Sequence, residues 1–114
     1  MDGMIKFSWW HSLPWLPWRV VAVVEAADEI PERLPRKGAV LVGSDAYPKW
    51  LAFDCPCRQG HRIMVSLDKR TKPHWTITGS ERLTLSPSVD AMTDRRRCHY
   101  IMRNGKVIWV HDRE

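Results

Sequence analysis

The sequence predicts a small, mainly β single domain, an antiparallel sheet or partly open barrel with at most one short helix. Three observations carry this expectation. Apolar stretches are short and alternate with period two, as at 62–67, where Ile63, Val65 and Leu67 fall on one side. Turn-forming residues separate these stretches. The last of them, Asn104-Gly105 between two apolar runs, is the strongest short-range hairpin signal, because a type I′ turn needs positive φ at both central residues. Finally, three cysteines and a histidine are placed so that distant parts of a 114-residue chain could be tied at one point.

The elements follow in chain order. Residues 1–18 form an arm in which Pro14 and Pro17 exclude a regular helix. Its four indoles, Trp9, Trp10, Trp15 and Trp18, would be costly to leave in water. The arm therefore either folds back onto the domain or docks on a partner or a membrane surface. The domain proper is expected over 19–114. It opens with the β-branched strand 19–24, and residues 26–34, acidic at first and containing Pro31, have room for one helical turn. Strands are expected at 39–42, 49–53 and 62–67, with Gly43-Ser44-Asp45 as the first turn. A polar, basic loop at 68–73 precedes an alternating run at 74–78. Leu83 and Leu85 make a short strand, and 86–88 and 90–97 read as loops. The hairpin 100–103 and 106–110 closes the chain.

Composition narrows the classes. The 44% apolar content makes the body globular rather than disordered. A net charge of +5 favours an acidic partner or is simply a solvated basic surface. Three cysteines are an odd number, which argues against a secreted disulfide framework and for the reducing cytoplasm. The apolar run 20–24, bracketed by Arg19 and Glu25, is far too short to span a bilayer, and the prolines of the arm break any signal peptide. No helical His-Glu-x-x-His, Gly-rich phosphate loop or Gly-x-Ser-x-Gly elbow is present.

The chemistry-bearing pattern is Cys55-Pro56-Cys57, then His61, then Cys98-His99 at the head of the last hairpin. Thiolate and imidazole are the ligands of tetrahedral structural zinc. A tight turn can present Cys55 and Cys57 to one ion, Gly60 lets the chain bend so that His61 joins them, and Cys98 supplies the fourth ligand. One zinc ion held by Cys55, Cys57, His61 and Cys98 is therefore expected. His99 is the substitute ligand if the strand register slips by one. A sphere filled by four protein ligands has no open position, so such an ion staples the fold and no catalytic residue is assigned. His11, His74 and His111 have no matching partners nearby and are expected to be structural or solvated.

The string Cys55-Pro56-Cys57, Gly60-His61-Arg62-Ile63, Trp75, Leu85-Ser86-Pro87-Ser88-Val89, Cys98-His99-Tyr100-Ile101 and Asn104 to Trp109 resembles a small bacterial family of unknown function. The likeness spans about residues 20–110, and the family shares the Cys-Pro-Cys motif, a Pro-Ser dipeptide and a closing His-aromatic hairpin. Its members are encoded beside ubiquitin-like proteins and their E1-like, E2-like and JAB-type peptidase enzymes. The resemblance implies zinc binding through Cys55, Cys57 and Cys98, and an accessory or E3-like role in a bacterial ubiquitin-like conjugation system, with a place in antiphage defence. Many members carry a further Cys where Gln59 stands here, and His61 fills that gap.

The function expected from these readings is a zinc-stapled protein-interaction module. It would present Trp9, Trp10, Trp15 and Trp18 to a ubiquitin-like protein or to its E1-like or E2-like enzyme. Two alternatives stay open at this point. One is nucleic-acid binding through Arg58, Arg62, Lys69, Arg70, Lys72 and 95–97. The other is a cysteine-dependent enzyme with Cys98 as nucleophile and His99 or His61 as base.

Overall fold

Alternation decides which face each strand buries, and the computed structural model resolves the pattern into two four-stranded sheets packed face to face; residues 7–44, 46–92 and 97–110 are described. The first sheet holds β1 (Arg19–Val24), β2 (Gly38–Gly43), β3 (Pro48–Asp54) and β4 (Arg62–Ser66) in that order. The second holds β5 (Thr76–Thr78), β6 (Thr84–Met92), β7 (Arg97–Arg103) and β8 (Lys106–Trp109). Leu41, Leu51, Phe53, Ile63 and Val65 from one sheet meet Leu85, Val89, Tyr100 and Met102 from the other in a single core. The mainly β expectation holds, and among the described residues the only helices are two 3-10 turns, Trp9–Ser12 and Ala27–Glu29.

One strand pair departs from the antiparallel expectation. β1 runs parallel to β2, while every other pairing among the described residues is antiparallel. A parallel pair needs a long connection, and here the chain between β1 and β2 passes over the outer face of the sheet. Ile30 and Leu34 from that connection cover Val24, Val40 and Val42. β2 is thus buried on both sides, which is why it reads as an unbroken apolar run rather than an alternating one.

β6 corrects a second expectation. Residues 86–88 and 90–97 are expected from the sequence to be loops, and of these 93–96 lie outside the described residues. Instead the strand runs Thr84–Met92, and Pro87 sits within a register shift between Leu85 and Val89, a bulge where the ladder does not need that donor. The closing hairpin is as expected, with Asn104 at φ 51° and Gly105 at φ 78°.

The arm is tied to the domain at its second half. Trp18 is 6% exposed and packs edge-on against Phe53 at 5.8 Å between ring centroids. Its N–H donates to the Gly105 carbonyl (2.9 Å), and its carbonyl accepts from the Leu83 N–H (2.9 Å). The Gly105 N–H in turn donates to the Leu83 carbonyl, so three distant segments close on one another. The Arg19 guanidinium donates to the carbonyls of Arg36 and His11, and the Lys37 ammonium donates to the Pro14 carbonyl. Trp9, Trp10 and Trp15 remain exposed. Lys6, Asp45 of the first turn, Arg95 and Arg96 of the basic run, and His111 lie outside the described residues.

Candidate functional site

Two groups of side chains meet on opposite faces of β7. Successive strand residues point to opposite sides, so Cys98 and Tyr100 enter the core while His99 faces outward.

On the inner side, Cys55, Cys57, His61 and Cys98 converge, their ligand atoms all within 4.8 Å of one another. The turn between β3 and β4 is folded for this. The Arg58 N–H donates to the Cys55 carbonyl (3.1 Å), and the Cys55 N–H donates to the His61 carbonyl (3.0 Å). Arg58 and Gly60 adopt positive φ. Cys57 Sγ lies 3.6 Å from His61 Nδ1. A tetrahedral ion with zinc-like bond lengths would place sulfur and nitrogen roughly 3.5 Å apart, so this edge matches. The four residues brought together are the four expected from the sequence, and the group could hold a metal ion.

The chemistry of the donors fits the same reading. Burial pushes the Cys55 thiol up to about 12, so without a cation this thiol is neutral. The Tyr100 hydroxyl is buried beside the Cys55 sulfur and makes no hydrogen bond of good geometry. Burial pushes its phenol well above its ordinary value, and the nearby Cys55, Cys98 and Cys57 sulfurs act in the same direction. A metal-bound Cys55 thiolate is a stronger acceptor for this O–H than a neutral thiol, and outer partners of this kind commonly support metal sites.

On the outer side, His99 Nε2 lies 3.0 Å from Ser88 Oγ, a hydrogen bond between β7 and β6. That is the distance at which an imidazole can take a hydroxyl proton. The bulge at Pro87 precedes the serine and sets its register against β7. The Trp75 indole N–H donates to the Ser88 carbonyl (3.3 Å), fixing the backbone that carries the hydroxyl. Asp90 stands directly across from His99, and Arg97 holds its carboxylate with contacts of 2.7 and 2.9 Å. The Arg97 hydrogen bond keeps Asp90 below the ordinary carboxylate range.

From the sequence His99 is a substitute ligand or a base for Cys98, and Ser88 has no role. His99 instead reaches Ser88 from the face opposite Cys98. The signal was present in the Pro-Ser dipeptide and the His-aromatic hairpin. It went unread because a loop at 86–88 has no cross-strand neighbour. Of the four arm indoles, Trp18 lies in the core, and Trp9, Trp10 and Trp15 stand in solvent.

A family model described as bacterial ubiquitination-like system serine protease (BubE) matches residues 26–110. The chain belongs to this family. BubE membership ties it to bacterial ubiquitination-like systems and so to protein partners. No curated protein and no solved structure matches the chain.

The BubE description overturns the expectation of a non-catalytic, accessory or E3-like zinc module. It names a serine protease, not a nucleic-acid-binding protein or a cysteine enzyme. The physical reason the Cys98 reading fails is also visible. Its thiol is fully buried within the four-ligand group, and the adjacent His99 points the other way. A closed four-ligand group has no open position for chemistry, and it says nothing of hydroxyl nucleophiles elsewhere on the sheet. No helix among the described residues is long and apolar enough to cross a membrane.

Proposed function

We propose that this chain is a serine protease with Ser88 as nucleophile and His99 as general base, acting on an acyl bond made by a ubiquitin-like protein. The observation that carries the proposal is the 3.0 Å contact between Ser88 Oγ and His99 Nε2 in a chain of the BubE family. Serine is a weak nucleophile at its own pKa and needs an adjacent base. In the first half-reaction Ser88 Oγ attacks the carbonyl carbon while His99 Nε2 takes its proton. His99 then returns that proton to the leaving amine, and the acyl group remains esterified to Ser88. Water, deprotonated by the same imidazole, releases the carboxylic acid and restores the serine.

The outer strand position suits a large substrate. Ser88 and His99 lie half-buried on a sheet face rather than at the bottom of a pit. Trp75 supports the serine from behind its carbonyl.

Within the same proposal, zinc is the ion for Cys55, Cys57, His61 and Cys98, because three thiolates and one imidazole are its structural donor set. Bound there, it supplies fold stability, since protein atoms fill its coordination sphere. Its position behind β7 keeps it apart from the reacting carbonyl.

A fluorophosphonate probe tests the assignment, because it esterifies only an activated serine. Mass mapping is expected to find the adduct on Ser88, with loss of labelling in Ser88→Ala and strong slowing in His99→Ala. Labelling that survives Ser88→Ala, or that falls on another serine, would remove the proposal.

A further inference from the structure

A cavity of about 790 Å³ opens between the arm, the segment before β2, the cysteine turn and the last hairpin. That volume lies in the range of ligand sites. Neither Ser88 nor His99 lines it, so it is a different place from the dyad. Its apolar wall is Trp18, Pro35, Val107 and Trp109, and its charged rim is Arg36, Lys37, Arg58 and Lys106. The one acid on the wall, Asp54, is already paired with Arg62 at 2.7 Å. Arg36, Arg58 and Lys106 have no ion-pair partner among the described residues, and all three are exposed. A cleft lined by one sign of charge over low-dielectric walls concentrates its field on whatever enters.

The backbone adds an independent observation. Among the described residues, three non-glycine residues have positive φ: Lys37 at 59°, Arg58 at 62° and Asn104 at 51°. Asn104 makes the hairpin turn, where that conformation is required. The other two are long cations, and both line this cavity. Lysine and arginine rarely adopt the left-handed region, and glycine or asparagine would make either turn with less strain. Such strain is retained where the direction of the side chain matters, and here both directions meet at one cleft. The Lys37 ammonium is also fixed on the wall by the Pro14 carbonyl, at 3.0 Å.

We infer that this cleft is a docking site for an acidic segment of a protein partner, which sets carboxylates against Arg58 and Lys106 and lays an apolar side chain on Trp109. Guanidinium and ammonium groups beside a half-buried indole are the chemistry that anchors such segments. Protein is favoured over nucleic acid because the floor is apolar and enclosed by prolines and indoles, with no stacked row of open rings for successive bases. The system to which the family belongs also acts on proteins. The site binds whether or not Ser88 is reactive.

The test is fluorescence polarisation on the full chain, using a fluorescein-labelled peptide of alternating glutamate and leucine and the same peptide with glutamine for glutamate. The glutamate peptide is expected to bind in a salt-sensitive manner, and Lys106→Glu and Arg58→Gly each weaken it at least about tenfold. Arg58→Gly removes the charge while easing the backbone, so it is expected to melt no lower than the parent. Ser88→Ala is expected to bind the peptide as the parent does, which separates failure of the catalytic proposal from failure of this one. Equal binding of the two peptides, or unchanged binding in Lys106→Glu, would overturn the inference. Displacement of the peptide by single-stranded oligothymidine at lower concentration than by unlabelled peptide would overturn it in favour of nucleic acid.

Discussion

Replacing Ser88 and His99 with alanine, singly and together, measures whether the two side chains work as one device. The Oγ to Nε2 distance of 3.0 Å is within the reach of a general base. Loss of base assistance costs about 10²–10⁴ in rate, or roughly 3–6 kcal/mol of barrier at about 1.4 kcal/mol per tenfold. Loss of the serine removes the covalent route and costs at least as much. If the two acted independently, the double variant would lose the product of both factors. A hydroxyl with no base and a base with no hydroxyl are equally idle, so the double variant is expected within about tenfold of Ser88→Ala, as triads behave. The Ser88–His99 hydrogen bond that either substitution removes is half-buried and worth about 1 kcal/mol, so the variants are expected to remain folded. The assay is the initial rate of cleavage of a ubiquitin-like protein fused through its C-terminus to a fluorescent reporter, with circular dichroism as the folding control. Activity of His99→Ala within about tenfold of the parent, or multiplicative losses in a folded double variant, would refute the dyad.

Four further outcomes follow from other parts of the molecule. Trp75→Phe keeps a ring in place but deletes the indole donor to the Ser88 carbonyl, so kcat is expected to fall about tenfold with KM unchanged in steady-state kinetics. Cys55→Ser is expected to lower zinc from one ion per chain to a fraction and to abolish cooperative melting, read by atomic absorption and calorimetry, because metal-binding free energy is folding free energy. Gly105→Ala puts a Cβ 2.5 Å from Pro17 Cβ at a residue with φ 78°, and urea titration is expected to show a loss of roughly 2–4 kcal/mol. Arg70 hydrogen bonds hold the Asp68 carboxyl at about 2 against an ordinary 3.8. A depressed acid stabilises above its unfolded pKa and loses that contribution as pH falls through the folded one. Melting temperature is therefore expected to drop more steeply between pH 4 and pH 2 in the parent than in Asp68→Asn.

What the sequence made legible was whatever depends on neighbours in the chain. Period-two alternation at Ile63 and Val65, the Asn104-Gly105 turn, and the two-residue spacing of Cys55 and Cys57 all state a local geometry, and each is found in place. The inclusion of Cys98 was legible too, since thiols that avoid disulfides and lie at strand ends have few other uses. The parallel pairing of β1 was hidden because a covered outer face shows only as a run of valines. β6 was hidden by Pro87, a residue that ends most strands and is tolerated here by a bulge. That single misreading concealed the dyad, because Ser88 has a cross-strand neighbour only if it lies on a strand.

Cys98 and His99 share one peptide bond but serve opposite sides of the sheet. An oxidant or chelator that reaches the inner sulfurs would slacken the strand on which His99 rides, without ever touching the serine. Under the proposed assignment, cleavage at Ser88 would then be silenced from behind, by the thiol chemistry of its surroundings, and restored when reductant and metal return.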